Sequence, residues 1–203
     1  MEIKRNSISA SDSKKAIQYA IQGMHFNWYT DSKLLLNLYA KYFWYLEINK
    51  ATQILSAYEN NQFVGVLLAN MKGEKKVHSN KLEKLYVSFI DFIQNTLLKN
   101  SSGLYEQTIN NQLKHYLESN NPDGEILFLA ADPNCKVKGI GTKLLQEFEK
   151  IEKGKQIYLY TDDACTYQFY EHRDFTLKED DTITMNLPKG DIKLRCFLYD
   201  KVL

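Results

Sequence analysis

A mixed α/β fold, in a single domain over residues 1–203, follows from three observations on the sequence. The last third alternates strand, glycine-containing loop, helix and strand, the order of a parallel crossover unit. Two β-rich segments are joined by Glu59-Asn60-Asn61-Gln62, a hairpin signal. Apolar residues between Lys72 and Pro122 recur at helical spacing, so the sheet is interrupted by a helical insertion. The chain is 44% hydrophobic and 25% charged, with only 9 Gly and 3 Pro, which excludes disordered and low-complexity classes.

Taken in order, residues from about Ile3 to Ile8 are expected to form a first strand. Ser11 and Asp12 then read as caps of a helix carrying Ala16, Ile17, Ala20 and Ile21. An aromatic loop, Met24 to Tyr29, precedes a second helix that starts near Thr30-Asp31-Ser32. Its Leu35, Leu38, Tyr39, Tyr42, Phe43 and Leu46 read mostly as core. The antiparallel pair Gln53 to Tyr58 and Phe63 to Met71 follows. Within the insertion, Leu82, Leu85, Phe89, Ile90, Ile93 and Leu97 mark a long amphipathic helix, Asn100 to Gly103 a break, and Ile109, Leu113, Tyr116 and Leu117 a second helix. Its apolar stripe is too long to be left in water, so the insertion is expected to pack over one side of the sheet, as a wall of any substrate site there, or to form part of a homodimer contact. Strands are then expected at Glu125 to Ala131, Ile157 to Thr161, Phe175 to Leu187 and Ile192 to Tyr199. Helices are expected at Gly141 to Ile151 and around Thr166 to His172.

The charge balance excludes several classes. With 26 basic and 25 acidic residues the net charge is +1, so no basic field attracts nucleic acid. The N-terminal segment has no apolar signal region, and apolar runs such as Ile126 to Ala131 fall far short of the roughly 18 residues of a membrane span. Cys135, Cys165 and Cys196 form no Cys-x-x-Cys pair, and the 4 His do not cluster with them at metal-ligand spacing. These features point to a reduced, metal-free, cytoplasmic protein.

The informative segment runs from Ile126 to Leu145: a buried strand, a tight loop with Gly139 and Gly141, and an amphipathic helix. Such a loop aims free backbone N–H groups at one place, where the positive end of the helix dipole adds to them, and so suits a pyrophosphate. A Gly-x-Gly also serves turns and packing. Gly-x-Gly-x-x-Leu144 lacks the third glycine of a dinucleotide fingerprint, and the nucleotide P-loop pattern is absent. Downstream, Ile157 to Thr161 runs into Asp162-Asp163 and then Phe169-Tyr170 and Asp174-Phe175.

Over Glu125 to Phe175 the sequence resembles the GNAT superfamily of N-acetyltransferases. Lys136-Val-Lys-Gly139-Ile-Gly141 fills the motif Arg/Gln-x-x-Gly-x-Gly/Ala. Asp163, Phe169-Tyr170 and Asp174-Phe175 stand where the superfamily has Asn, Leu/Phe-Tyr and Gly-Phe. Lys136, Asp163 and Asp174 are departures from that pattern, and the insertion lies outside the resemblance. The resemblance implies a central mixed sheet of about six to seven strands with flanking helices. It also implies acetyl transfer from acetyl-CoA, as cosubstrate, to a small-molecule or protein amine by direct attack.

By the same resemblance, Leu129, Ala130 and Ala131 would pair by main chain with pantetheine and hold the thioester carbonyl. Lys136, Val137, Lys138, Gly139, Gly141 and Thr142 would cradle the pyrophosphate, with Asp163 and Phe169 also at the cofactor. Tyr170 would donate to the departing thiolate, and Glu125 would serve as base, His25 and Asp31 being alternatives. Trp28 and Tyr29 are candidate acceptor-binding residues, whereas Phe43 reads as core. A non-catalytic acyl-CoA-binding protein of the same fold is the competing reading, motivated by Asp163 and Asp174.

Overall fold

The structure, a computed structural model, describes residues 1–203 apart from Tyr29, 98–102 and 188–189, and the backbone alone over 94–97. The described strands form one seven-stranded sheet. In chain order the elements are β1 (Glu2–Arg5), α1 (Ala10–Gly23), a 3-10 turn at Phe26–Trp28, α2 (Lys33–Ile48), β2 (Gln53–Glu59), β3 (Gln62–Met71), α3 (Lys81–Leu97) and α4 (Gly103–Leu117). They continue with β4 (Gly124–Ala131), α5 (Ile140–Ile151), β5 (Gln156–Asp162), α6 (Gln168–Glu171), β6 (Thr176–Leu187) and β7 (Gly190–Val202). The sheet order is β1-β2-β3-β4-β5-β7-β6, and only β4 and β5 are parallel.

The hairpin signal is realised: Asn60 and Asn61 take φ 49° and 62°, the left-handed pair that matches the twist of the flanking strands. The sheet is covered on both faces. Leu144, Leu145 and Phe148 of α5 bury against Leu55, Leu67, Ile157 and Leu159. On the other face Ala16, Ala20, Trp44 and Ile48 of α1 and α2 bury against Ile54, Val66, Leu68 and Phe128.

Three expectations are corrected. The cap of α1 is Ser9, whose hydroxyl accepts the Asp12 N–H at 3.1 Å. Asp12 itself is buried, accepting from the Tyr58 hydroxyl at 2.8 Å. The first strand stops at Arg5 because Asn6 adopts φ 54° and turns its amide onto the Ile54 main chain. In α2 the core face is Ala40, Trp44, Glu47 and Ile48, whereas Leu35 and Leu38 are exposed.

The insertion divides between two supports. Helix α3 lies along α2, with the Tyr86 hydroxyl donating to the Leu38 carbonyl at 2.9 Å and the Tyr42 hydroxyl to Asp91 at 2.6 Å. Helix α4 lies along β6 and β7, where the Gln112 amide donates to the Cys196 carbonyl at 2.8 Å and the Tyr116 hydroxyl to Asp200 at 2.9 Å. The break at 100–102 and the side chain of Leu97 lie outside the described residues. Leu82, Leu85 and Phe89 of the expected stripe are exposed, because the residues that meet α2 are Glu83, Tyr86 and Asp91.

Candidate active site

The parallel strands β4 and β5 pair only at Gly124↔Ile157 and Glu125↔Tyr158 and then diverge. From Ile126 onward β4 is paired by β3 on one edge and meets a cavity of about 590 Å³ on the other. Its open-edge N–H and C=O groups are thus left for a ligand, since a buried main-chain group requires a partner. A β-bulge sharpens the divergence: Leu68 pairs with Phe128 and Ala69 with Ile126, so Leu127 is the extra residue.

At the wide end of the wedge the chain turns through Asp132 to Gly139 into α5. Gly139 is the N-cap, at φ 77°, and supplies no side-chain cap. The first-turn N–H groups of α5 are therefore uncapped beside the cavity, with the helix dipole behind them. Gly141 has a different reason to be glycine: a Cβ there would stand 3.3 Å from the Phe169 ring. Phe169 in turn carries the Arg173 guanidinium, 3.7 Å above its ring, and its carbonyl accepts from Arg173 Nη1 at 2.7 Å. Arg173 Nη2 donates to Thr142 Oγ1 in the first turn of α5, while the buried Arg173 Nε has no partner. A second cation, Lys138, lines the cavity from the loop.

Tyr170 lines the same cavity, edge-on to Phe169 and Phe175. No partner for its hydroxyl is found among the described residues. Burial first, and the neighbouring Cys165 second, push its pKa above the usual phenol value. The Cys165 thiol is itself pushed up to about 12 by burial and then by Asp162, which removes the thiolate a nucleophilic cysteine needs.

Glu125 sits where the wedge closes. Its carboxylate accepts from the Tyr158 hydroxyl at 3.2 Å. Burial, and after it the Glu47 carboxylate, raise its pKa to about 7, against smaller opposing effects of Lys50 and Tyr158. Glu47, on α2, is raised by burial too, although Lys50 Nζ lies 3.0 Å from it.

Of the candidate residues, Leu129, Ala130, Ala131, Val137, Lys138, Gly139, Gly141, Thr142, Phe169 and Tyr170 come together around the cavity. Lys136 is exposed and is not brought to it. Asp163 is occupied elsewhere: its carboxylate accepts the Arg195 N–H at 3.0 Å and its N–H donates to the Arg195 carbonyl at 3.0 Å, tying the β5 end to β7. Trp28 stacks on His25 and packs against the Ile183, Met185 and Leu194 cluster. His25 Nε2 lies 3.0 Å from the Ala164 carbonyl, pinning the α1–α2 connection to the loop before α6. Phe43 packs edge-on to Phe26 and Phe128 in the core, and Tyr29 lies outside the described residues.

The cavity also takes residues that sequence reasoning did not single out: Tyr19 and Met24 from α1 and its end, Tyr105 from α4, Tyr160 from β5, and Arg173. Tyr160 was within reach of strand parity, since it shares a face with Tyr158. Among the described residues no group of three His, Cys, Asp or Glu could hold a metal ion, and no helix is long and apolar enough to cross a membrane.

Comparison with known proteins places residues 107–175 on the model of the acetyltransferase (GNAT) family. No curated protein matches the chain. Among solved structures, it is similar to a GNAT-family acetyltransferase of Desulfovibrio desulfuricans (TM-score 0.54, 12% identity, 99% of this chain and 98% of that one). It is similar as well to a ribosomal-protein-alanine N-acetyltransferase of Brucella melitensis (TM-score 0.52, 13% identity, 100% of each chain). A histone acetyltransferase HPA2 and related acetyltransferase of Corynebacterium glutamicum aligns with TM-score 0.54 and 12% identity, over 98% of this chain and 96% of that one.

Proposed function

We propose that this chain, whose residues 107–175 match the model of the acetyltransferase (GNAT) family, transfers an acetyl group from acetyl-CoA to a primary amine of a small molecule or protein, in the cytoplasm, by direct attack in a ternary complex. The observation that carries this reading is the wedge between β4 and β5, whose open strand edge leads to the uncapped N-terminus of α5. An extended amide chain can pair with the open edge of Leu129, Ala130 and Ala131, and a diphosphate can take the N–H groups of Gly139, Gly141 and Thr142. Lys138 and Arg173 bring positive charge to the same end, Arg173 as a fork already stacked on Phe169. Acetyl-CoA would supply an activated thioester carbonyl; the chain supplies the geometry.

Glu125, which adjoins the cavity at the closed end of the wedge without being among its lining residues, is the proposed acceptor of the ammonium proton, and a carboxyl of pKa about 7 is matched to that task near neutral pH. Main-chain donors of the open edge stabilise charge on the carbonyl oxygen as the amine attacks. Tyr170 acts as a hydrogen-bond donor to the departing sulfur. Full transfer of a phenol proton to a thiolate of pKa about 8.5 runs uphill, more so with the phenol raised by burial, so the proton stays largely on the tyrosine while its dipole stabilises the sulfur. Asp163, held by β7, plays no part in this scheme.

The test is thiol release from acetyl-CoA with a library of primary amines, paired with mass analysis of the acceptor. Amine-dependent thiol release with acetylated product is expected. Calorimetric binding of CoA with no turnover on any amine would instead favour the non-catalytic binding protein.

A further inference from the structure

We propose that the cavity holds an acceptor subsite on the α2 and α4 side of the sheet, built around Tyr105, which takes a monoamine with an apolar, ring-bearing body. The proposal rests on the reading of the cavity as the site of acetyl transfer. The lining comes from both faces of the sheet: Leu129, Phe169 and Tyr170 pack with the α5 face, whereas Met24 and Leu127 pack with the face of α1 and α2. A cofactor held by the first turn of α5 therefore leaves the opposite mouth to the acceptor.

At that mouth Tyr105 enters from the first turn of α4, half-buried and packed against the Ile183, Met185 and Leu194 cluster of β6 and β7. Tyr160 of β5 lines the cavity half-buried as well. Its ring stands edge-on to Tyr158, with 5.7 Å between centroids, and the Tyr158 hydroxyl donates to Glu125 at 3.2 Å. A run of aromatic faces thus leads from the cavity to the carboxylate proposed to take the ammonium proton.

The count of charges selects among amines. Glu47, the carboxylate beside Glu125, is already paired with Lys50 Nζ at 3.0 Å. Among the described residues the carboxylates that line the cavity are Asp132 and Asp162, and each is tied into its own turn. Asp132 Oδ1 accepts the Asn134 N–H at 2.9 Å, and Asp162 Oδ1 accepts the N–H groups of Ala164 and Cys165 at 3.0 Å each. Glu125 is left to meet one ammonium. A second ammonium on the acceptor would lie against Met24, Leu127 and the tyrosine rings, losing hydration with no anion in return. Attraction to the ring faces returns only part of that cost. A flat apolar body gains instead, since it removes these half-open side chains from water and meets the rings in stacked or edge-on contact.

The experiment is steady-state kinetics on the full chain at saturating acetyl-CoA with 2-phenylethylamine, butylamine and 1,4-diaminobutane, the last two differing only in the second amine. The kcat/KM for 2-phenylethylamine is expected to exceed either of the others at least about tenfold. Tyr105→Ala is expected to raise its KM about tenfold with kcat little changed, while the KM for butylamine moves less than about threefold. Tyr105→Phe should keep the wild-type values. Tyr105→Leu removes the ring but keeps apolar packing against β6 and β7, and a thermal melt of each variant controls for folding. Failure of 2-phenylethylamine to outrank the other amines would overturn the subsite, as would an equal loss on all three amines or an unchanged KM in the variants without a ring. Calorimetric titration of 2-phenylethylamine into the CoA-loaded chain separates this proposal from the reading it rests on. Binding that weakens in Tyr105→Leu, without turnover of any amine, would overturn acetyl transfer and retain the subsite; absence of binding and of turnover would overturn the subsite too.

Discussion

Tyr170 offers the sharpest test of chemistry at the scale of one residue, since Tyr170→Phe deletes a hydroxyl and keeps the edge-on packing with Phe169 and Phe175. The turnover rate is expected to fall about ten- to a thousandfold with the Michaelis constant for acetyl-CoA little changed, as read by steady-state kinetics beside a thermal melt. Glu125 couples activity to stability. Its folded pKa of about 7 exceeds the 4.5 of an ordinary glutamate, so the folded protein holds this proton longer than the unfolded chain does. Its contribution to stability is therefore fully present below pH 4.5 and is lost as pH rises to about 7, on the order of 3 kcal/mol. Activity should do the reverse, rising through pH 7 as the base ionises. Glu125→Gln is expected to flatten both profiles, with at least about a hundredfold loss of rate but a higher melting temperature at pH 8 than the wild type. Arg173 shows why some of the site was illegible: a lone arginine in Glu171-His172-Arg173-Asp174 has no spacing signal, and its role emerges only when α6 brings it over Phe169 and against Thr142. Arg173→Gln is expected to weaken CoA binding about tenfold or more by calorimetry; unchanged affinity would remove it from the phosphate site.

Among the elements, the strand, loop and helix from Gly124 to Ile151 were the most legible, because a buried strand, paired glycines and an apolar helix face are each local signals. The two glycines separate under mutation. Gly139→Val meets no neighbouring atom but must hold φ 77°, which costs a branched residue about 1–2 kcal/mol or more and should unsettle the phosphate turn. Gly141→Ala must shift Phe169 by a few tenths of an ångström, so it should reach Arg173 through the ring. Both should lose CoA affinity in calorimetry, and equal affinity in either variant would count against the cradle. The phase of α2 was misread for a physical reason. Leu35, Leu38, Tyr42 and Tyr45 also make a stripe, but that stripe faces α3 and solvent, while small Ala40 lets Trp44 and Ile48 approach the sheet. Aromatic-rich helices present two plausible faces, and only tertiary packing chooses between them. The bulge at Leu127 left no trace in the sequence, since the residue type that tolerates it is unrestricted.

Across the whole molecule, the mixed sheet and its two covered faces were readable from element order, whereas the destinations of α3 and α4 were not, because no local pattern encodes which distant surface a helix meets. The scarcity of pairing between β4 and β5 has a consequence for motion. Among the described residues the ladder between the β1–β4 and β5–β7 halves of the sheet has two rungs, Gly124↔Ile157 and Glu125↔Tyr158, continued by the bond from the Asp123 N–H to the Gln156 carbonyl. Amide protons along the open edge of β4 should therefore exchange with deuterium as quickly as those of a sheet border, although the strand lies at the centre of the order. An extended ligand in the wedge would act as a temporary extra strand. It would slow exchange from Leu127 to Ala131 and tie the two halves together, so that they resist opening as one body.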